Sequence, residues 1–444
     1  MTERRAQGSG ALTGRGISRR DFLKIGGAGL AGAALLGAAG CGGGGGGGGT
    51  GDIVFAMGAD TSGTLQKLVD KFNQQNKGNF KVTYREMPTD TGQFFDQLRT
   101  EFQAGASEID VIGGDVIWPA QFAANGWILD VSDRFPKSEQ QKFLQAPVES
   151  LVYEDAIYGV PWYTDAGMLY YRKDLLDESG ISQPPATWDD LKQMAEQVRQ
   201  DAGLKYGFVF QGAEYEGGVC NGLEYIWTNG GDVLAGNKVL VDSPEAAAGL
   251  ETEHSMVSDG VAPKAVSTYK ETETDPTFLN GDAVFARNWP YMYALAGTSS
   301  YPKVKPEQVG VAPLPVGEGG PTTSALGGWD MMINANSEKQ DSAWEFVKWM
   351  TAEEQQKWRA LNATLLPTRA ALYEDQEVLQ KVPVIRLGKT ALQNTKPRPV
   401  SPYYSDMSLK MAEEFNKALK GDVSPEQAVK TLQEELSSII EQGG

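Results

Sequence analysis

The spacing of apolar residues between positions 52 and 115 constrains the fold of this chain more than any other feature. DIVFAM has the composition of a strand, and the next segment places four apolar residues on one helical face: Leu65, Leu68, Val69 and Phe72. FKVTYREM then alternates as a strand does, QFFDQLRTEFQAG has helical spacing, and IDVIGG resembles a short buried strand. This βαβαβ order predicts an α/β domain with a mainly parallel sheet covered by helices on both faces.

Similar signals continue to the end of the chain. YGFVF, AVFA and WDMMI, between positions 205 and 333, are further strand candidates. Two later helix starts are predicted from capping residues, one from Thr187 with Asp190 and the other from Ser424, Pro425 and Gln427. The 444-residue chain is long enough for two domains with sizeable cores after position 51.

The first fifty residues have the basic start, apolar middle and small-residue end of an export signal. SRRDFLK, with Arg19 and Arg20, resembles the twin-arginine export motif. Cys41 follows Ala-Ala-Gly, which resembles the lipobox of bacterial lipoproteins with Ala38 where leucine is usual. We therefore predict a signal over 1–40, a lipid-anchor cysteine with a flexible glycine linker over 41–50, and attachment to the outer face of the cytoplasmic membrane. An ordinary signal with an incidental Cys41 is the alternative.

Composition excludes several classes of function. The net charge of −18 disfavours nucleic acid and anionic lipid surfaces as partners. The single histidine, His254, is predicted on the surface, and one histidine cannot build a multi-histidine metal site. The glycine run lacks the lysine of a phosphate-binding loop. We predict no cofactor and no metal, and we expect Cys220 to be a buried apolar residue.

Aromatic residues recur beside glycine, proline and polar residues, at Trp118, Trp162, Tyr163, Trp289, Tyr291 and Trp329. A tryptophan in such a context is often found at a loop near a strand end. Flat rings beside carboxylates, amides and guanidinium groups suit sugars, because a pyranose has an apolar C–H face and a rim of hydroxyls. The alternative is that these rings fill the core of a large domain.

Longer blocks of sequence carry a resemblance to a known family. They are AIYGVPWYTDAGMLYYRKDLL, PPATWDDLKQMAEQV, FLNGDAVFARNWPYMYAL, VGVAPLP and ALGGWDMMINANSEKQDSAWEFVKWM. In this order they resemble the extracellular solute-binding proteins of carbohydrate ABC importers, and within that family the trehalose and maltose binders. The resemblance runs from about residue 52 to the C-terminus.

The resemblance implies a two-lobed periplasmic-binding-protein fold of type II, in which hinge segments join two discontinuous lobes. We expect the chain to cross near Thr164, Pro315 and Leu366. Lobe 1 would then comprise 51–164 plus 315–366, and lobe 2 would comprise 165–314 plus 367–444. The implied function is a non-catalytic receptor that delivers a disaccharide to the permease subunits of an importer.

The resemblance also implies sugar-contacting positions: Asp60, Asp115, Tyr163, Asp165, Glu216, Trp289, Gly328, Trp329 and Arg398. Carboxylates would accept hydrogen bonds from paired hydroxyls, Arg398 would donate to sugar oxygens, and the tryptophans would stack on pyranose faces. Asp60 and Glu216 lie in short acidic motifs that chance can match. Asp115 as a cap and Arg398 paired with a surface carboxylate are the alternatives.

Two other functions stay open. An exported glycoside hydrolase would also need aromatic rings and a pair of carboxyl groups, although the resemblance argues against it. A binding protein for ferric iron would use the adjacent tyrosines Tyr170-Tyr171 and Tyr403-Tyr404, but tyrosine pairs commonly serve in packing. The sequence leaves open which sugar is bound.

Overall fold

The computed structural model describes residues 49–60 and 62–443. Its strands are β1 (Ile53–Gly58), β2 (Val82–Met87), β3 (Val111–Asp115), β4 (Val152–Tyr153), β5 (Ala156–Ile157), β6 (Val160–Ala166), β7 (Met168–Arg172), β8 (Tyr206–Val209), β9 (Leu234–Ala235), β10 (Lys238–Val239), β11 (Ala283–Asn288), β12 (Val309–Ala312), β13 (Ser324–Ile333), β14 (Leu366–Pro367) and β15 (Thr395–Lys396).

The α-helices are α1 (Thr64–Gln75), α2 (Thr91–Gln103), α3 (Pro119–Ala124), α4 (Lys137–Gln140), α5 (Gln145–Glu149), α6 (Lys173–Glu178), α7 (Trp188–Ala202), α8 (Glu216–Thr228), α9 (Pro244–Ser258), α10 (Glu271–Leu279), α11 (Met292–Leu295), α12 (Gln340–Met350), α13 (Glu353–Ala363), α14 (Gln376–Lys381), α15 (Pro383–Leu387), α16 (Lys389–Gln393), α17 (Tyr404–Lys420) and α18 (Pro425–Gly443). Short 3₁₀ helices span Lys264–Thr268, Pro306–Gln308 and Ala370–Tyr373. Within the described ranges no helix is both long and apolar enough to cross a membrane. The predicted signal with Arg19 and Arg20, and the predicted anchor Cys41, lie outside these ranges.

Two large sheets organise the fold. The larger has the order β14-β6-β13-β3-β1-β2, with β15 paired to β13, and the smaller has the order β12-β7-β11-β8. The predicted βαβαβ unit is confirmed, because β1 runs parallel to both β2 and β3. The expectation of a mainly parallel sheet is wrong, since β13 runs antiparallel to β3 and β6, and β7 antiparallel to β11 and β12. Both sheets are therefore mixed, since each contains parallel and antiparallel strand pairs.

The architecture is the predicted two-lobed α/β fold of type II. The chain leaves the larger sheet after β6 and enters the smaller sheet at β7, with only Gly167 between them. It returns from β12 to β13, leaves the larger sheet after β14, and comes back to it once more where β15 pairs with β13. The helices α17 and α18 then pack with α8 and α9 in one apolar cluster. The residue limits of the two lobes stay predictions.

The helices agree closely with the apolar spacing and the capping residues seen in the sequence. The apolar face of α1 is buried at the four predicted residues, and Thr187 and Asp190 form a reciprocal capping box at α7. At α18 only half of the predicted capping box forms: the Gln427 backbone N–H donates to Ser424, while the Gln427 side chain donates to Thr431. Cys220 is buried, as predicted. His254 is half-buried, and its Nδ1 lies 3.1 Å from the carbonyl oxygen of Leu419.

Two of the aromatic candidates lie in the core. Trp162 is 1% exposed and packs edge-on to Phe55 in the apolar cluster under the larger sheet. Trp118 is also buried, among the phenylalanines of α2 and α3. For these two residues the core interpretation is correct. A tryptophan buries more apolar area than any other side chain, so a position beside a strand end does not by itself keep it accessible.

Candidate ligand-binding site

Three adjacent strands bring predicted site residues to one level of the larger sheet. Trp329 on β13 pairs with Asp115 on β3 at one side and with Tyr163 on β6 at the other. Gly327 on β13 pairs with Asp165 on β6. Trp329, Tyr163 and Asp165 are half-buried, so their side chains keep an accessible face. The strand register therefore places two carboxylates and two aromatic rings side by side.

Gly328 is required by the backbone at this level. Its φ of +128° is a conformation that L side chains rarely adopt, and a Cβ here would collide with the carbonyl oxygen of Tyr163. A bulge follows at once, because the register of β13 against β6 shifts between Trp329 and Asp330. The glycine thus fixes the course of β13 where Trp329 is presented.

Trp289 reaches this level from the smaller sheet. It follows β11, and its ring lies beside β13. A Cβ atom built on Gly327 would be 3.1 Å from the Trp289 ring and 3.1 Å from the Asp165 Cβ, so the ring, Gly327 and Asp165 are close neighbours. The indole Nε1 donates to Glu271 at 3.0 Å, and the Arg287 guanidinium carbon lies 4.0 Å from the ring centroid. The indole is thus held at one edge and on one face, and it is half-buried.

Trp329 is supported from the larger sheet. Its ring makes an edge contact with Trp118 at 5.8 Å and a stacked contact with Phe94 at 6.2 Å. Aromatic contacts of this kind hold a ring in one orientation. Two rigid indoles, one from each sheet, are the kind of surface on which a flat apolar ligand face can stack.

Arg398 ties the two sides together. It is 5% exposed, and it donates from Nη1 to Glu216 at 2.6 Å and from Nη2 to Asp115 at 3.0 Å. A longer bond joins Nη2 to the carbonyl oxygen of Leu326 at 3.4 Å. Glu216 also accepts from the hydroxyls of Tyr404 and Ser408. Arg398 is therefore paired with two buried or half-buried carboxylates, and the alternative of a surface ion pair is wrong.

Burial governs the charge state of the carboxyl groups. It raises the pKa of Asp165 to about 7, with a further rise from Asp115 and an opposing effect of Arg359 and Arg287. Burial also raises the pKa of Asp115, against the lowering effect of Arg398. Two carboxyl groups at one level repel each other when both are ionised. Their charge is consequently sensitive to the arginines around them.

Asp60 plays a more local part. Its carboxylate accepts from the hydroxyl and the backbone N–H of Ser62, at 2.5 and 3.0 Å, and from the backbone N–H of Leu65 at 2.6 Å, at the start of α1. Burial raises its pKa, but these hydrogen bonds and Arg359 outweigh burial, and the net shift is downward. Asp60 thus shapes a turn and a helix start, which leaves fewer lone pairs for a ligand.

Several neighbouring residues were not predicted from the sequence. Arg287 forms two hydrogen bonds with Glu224, at 2.7 and 2.6 Å, and both residues are 2% exposed or less. Glu271 anchors Trp289, and Arg359 lies beneath Tyr163 at 4.9 Å from its ring centroid. Helical spacing could have indicated Arg359, because it lies on the same buried face of α13 as Gln355 and Gln356. A polar residue on the face of a helix that meets the core needs an explanation.

The tyrosine pairs do not resemble an iron site. Tyr170 donates to the carbonyl oxygen of Trp289 at 2.8 Å, and Tyr404 donates to Glu216 at 2.7 Å. Burial raises the pKa of both phenols well above the ordinary value. A tyrosine that binds iron must offer its oxygen to the metal, and in both pairs one phenol oxygen is engaged with a neighbouring group, so the geometry gives the ferric iron alternative no support.

Comparison with known proteins identifies the family of this chain. The family described as "Bacterial extracellular solute-binding protein" matches residues 58–357. The chain belongs to this family. Membership of this family places the protein outside the cytoplasm. A solute-binding protein of this kind is a transport component, and the relatives found for it are binding proteins rather than enzymes.

Three relatives show how far the likeness of this solute-binding protein extends. The "Probable ABC transporter-binding protein" of Deinococcus radiodurans is 33% identical over 367 residues, covering 81% of this chain and 86% of that protein. The structure titled "Maltose bound T. maritima MalE3" has a TM-score of 0.81 and 38% identity, covering 87% of this chain and 99% of that one. The "Maltotriose-binding protein" of Pyrococcus abyssi is 24% identical over 353 residues, covering 72% and 73%.

Proposed function

We propose that this protein is the receptor of an ABC importer and binds a disaccharide of the maltose or trehalose type between its lobes. The observation that carries this proposal is the meeting of Trp289, from the smaller sheet, with Asp165 and Gly327 of the larger sheet. One ligand that touches both sheets would hold the lobes together. The ligands named for the T. maritima and Pyrococcus relatives support the choice of an α-glucoside.

The side chains present suit a neutral sugar. The indoles of Trp289 and Trp329 offer apolar faces to two pyranose rings, which is why a disaccharide is favoured over a monosaccharide. Asp115 and Asp165 would accept hydrogen bonds from hydroxyls, and Arg398 would hold Asp115 ionised by pairing with it. Tyr163 and Glu216 would complete the rim. Because buried hydroxyls need partners, discrimination between sugars would depend on hydroxyl geometry.

Transport would follow from a population shift. A sugar that contacts both lobes stabilises the closed form by its differential affinity, and the permease subunits would recognise that form. The passages after β6, β12 and β14 would act as the hinges, with lobe limits near Thr164, Pro315 and Leu366. The nine predicted site residues would form the sugar contacts that stabilise the closed form.

The N-terminal segment would attach this receptor to the membrane. Twin-arginine export through Arg19 and Arg20, followed by acylation of Cys41, would leave the domain on a glycine linker at the outer face of the membrane. Metabolic labelling with a radioactive fatty acid tests this step. Label in the wild-type protein and none in Cys41→Ala is the expected result, and an unlabelled wild-type protein would contradict it.

Calorimetric titration of residues 49–444 with maltose, trehalose and glucose tests the ligand, after unfolding and refolding to remove carried-over sugar. Binding of one disaccharide at about micromolar Kd corresponds to about −8 kcal/mol. Trp289→Ala should weaken that binding roughly 30-fold or more, since a central aromatic anchor contributes about 2 kcal/mol or more.

Trp349→Ala is the matched control. Trp349 lies on α12, where its Nε1 donates to Gln75 on α1, and it is not among the site residues. Its removal should leave the sugar affinity unchanged. Absence of heat with all three sugars in a folded protein would overturn the choice of ligand.

A further inference from the structure

Arg359 is a buried cation with incomplete pairing. It lies on α13, it is 4% exposed, and its Nε and Nη1 have no hydrogen-bond partner among residues 49–60 and 62–443. Its guanidinium carbon lies 4.1 Å from the Trp162 ring centroid and 4.9 Å from that of Tyr163. Arg287 and Arg398, by contrast, are each bonded to carboxylates.

Packing alone does not account for this arginine. Removing a guanidinium from water costs several kcal/mol, and the contacts with the Trp162 and Tyr163 rings, each about 2 kcal/mol or more when desolvated, offset only part of that cost. An apolar side chain of similar length would fill the same space at lower cost. The buried positive charge of Arg359 therefore requires a functional explanation.

The field of Arg359 acts on the ligand-binding site. Its guanidinium carbon lies 4.9 Å from the Tyr163 ring centroid, and Asp165 follows Tyr163 by two residues on the same face of β6. Asp60, Tyr163 and Asp165 are accordingly the groups on which its charge acts. The Asp60 carboxylate is already bonded to the backbone of Ser62 and Leu65. The Asp165 carboxyl group, in contrast, makes no hydrogen bond to the described residues. Its pKa depends only on desolvation and on the charges nearby. Asp165 is thus the carboxylate that depends most on a distant cation.

The other titratable groups around Asp165 come from five elements. Asp115 at the end of β3 opposes its ionisation, and Arg287 on β11 favours it. The phenols of Tyr163 on β6, Tyr170 on β7 and Tyr373 of the last 3₁₀ helix also lie within its field. Arg287 is neutralised by its two bonds to Glu224, which leaves Arg359 as the less compensated of the two arginines.

We propose that Arg359 is a positioning residue of the ligand-binding site, whose buried guanidinium holds the Tyr163 ring and supplies positive charge beside Asp165, the carboxyl group that would accept hydrogen bonds from sugar hydroxyls. Its planar guanidinium also supports the Tyr163 ring from behind. Arg398, bonded to Asp115, and Arg359, near Asp165, would together reduce the repulsion between the two carboxyl groups at this level of the sheet. This inference rests on the proposed sugar-binding function, although the electrostatic part concerns the ligand-free protein as well.

The first test measures Asp165 without any ligand. Carbon-13 NMR of protein labelled at the aspartate carboxyl groups, with the Asp165 signal assigned from Asp165→Asn, gives its titration midpoint. Burial and Asp115 raise the pKa of Asp165 to about 7 in the wild-type protein. Loss of the positive charge in Arg359→Met should raise this pKa by about half a unit or more, and Arg359→Lys should keep it near the wild-type value. Arg359→Gln replaces the methionine variant if that variant does not fold.

The second test measures the pH dependence of maltose and trehalose binding in the same proteins. Arg359→Met should lose affinity at neutral pH and recover it near pH 9, whereas Arg359→Lys should follow the wild-type profile. An unchanged Asp165 midpoint in Arg359→Met, or equal weakening of both variants at every pH, would overturn the inference. If the Asp165 midpoint shifts in Arg359→Met but the wild-type protein binds none of the sugars, the Arg359–Asp165 coupling is supported and the proposed function is refuted.

Discussion

Removal of Arg398 should destabilise the protein in a way that depends on Asp115. The guanidinium is 5% exposed and is bonded to Asp115 at 3.0 Å and to Glu216 at 2.6 Å. Arg398→Met leaves these carboxylates facing each other without a cation. Breaking a buried ion pair from one side costs about 3 to 5 kcal/mol. We expect the lower value, because Glu216 keeps the hydroxyls of Tyr404 and Ser408 as donors.

The corresponding change in unfolding temperature is small but measurable. With an unfolding entropy of about 2.1 cal/mol/K per residue over about 395 residues, 3 kcal/mol corresponds to a fall of about 4 °C. Differential scanning calorimetry of ligand-free protein at pH 8 measures it. The loss should be smaller at pH 5, because the pKa of Asp115 is already raised by burial and rises further without Arg398, so that this carboxyl group takes up a proton.

Two further proteins complete the experiment. Arg398→Met combined with Asp115→Asn removes the unpaired charge and should recover at least half of the loss. Arg99→Met is the matched control, because Arg99 forms an exposed ion pair with Asp96 at 2.8 Å, and such pairs contribute about 0 to 1 kcal/mol. A melting temperature of Arg398→Met within 1 °C of that of Arg99→Met, with no effect of Asp115→Asn, would refute the reasoning.

Two other predictions concern stability. Burial and the neighbouring Glu224 raise the pKa of Glu253 to about 8, so its contribution to the free energy of unfolding is present below about pH 4.5 and falls by about 1 kcal/mol per pH unit until about pH 8. Glu253→Gln should remove this slope in urea unfolding curves taken from pH 5 to 8, and parallel slopes for the two proteins would contradict it. Gly328→Ala should cost about 1 to 3 kcal/mol through its φ of +128° and the collision with the Tyr163 carbonyl, whereas Gly126→Ala, with φ of +66° and an open surrounding, should cost less. Equal melting temperatures for the two alanine variants would show that the strain at Gly328 is relieved.

Much of the local structure followed from the sequence. The faces of α1 and α2, the strands β1 to β3 and the cap of α7 are set by residue spacing and side-chain capping, which act over a few residues. The direction of the later strands did not follow, because strand pairing in β13 joins residues more than two hundred positions apart, as in Trp329 with Asp115. The same limit explains the error over Trp118 and Trp162, whose burial depends on which helices cover them.

The sequence by itself determined the alternation of strands and helices and a set of blocks that resemble one family of binding proteins. Tertiary structure alone decided which charges meet. Arg398 finds Asp115 and Glu216 across 283 and 182 positions, and Arg359 is placed under Tyr163 with two unpartnered nitrogens among the described residues. The physical reason is that capping and periodicity are short-range, whereas the field and the hydrogen bonds of a buried ion depend on neighbours that only the folded chain brings within a few ångströms.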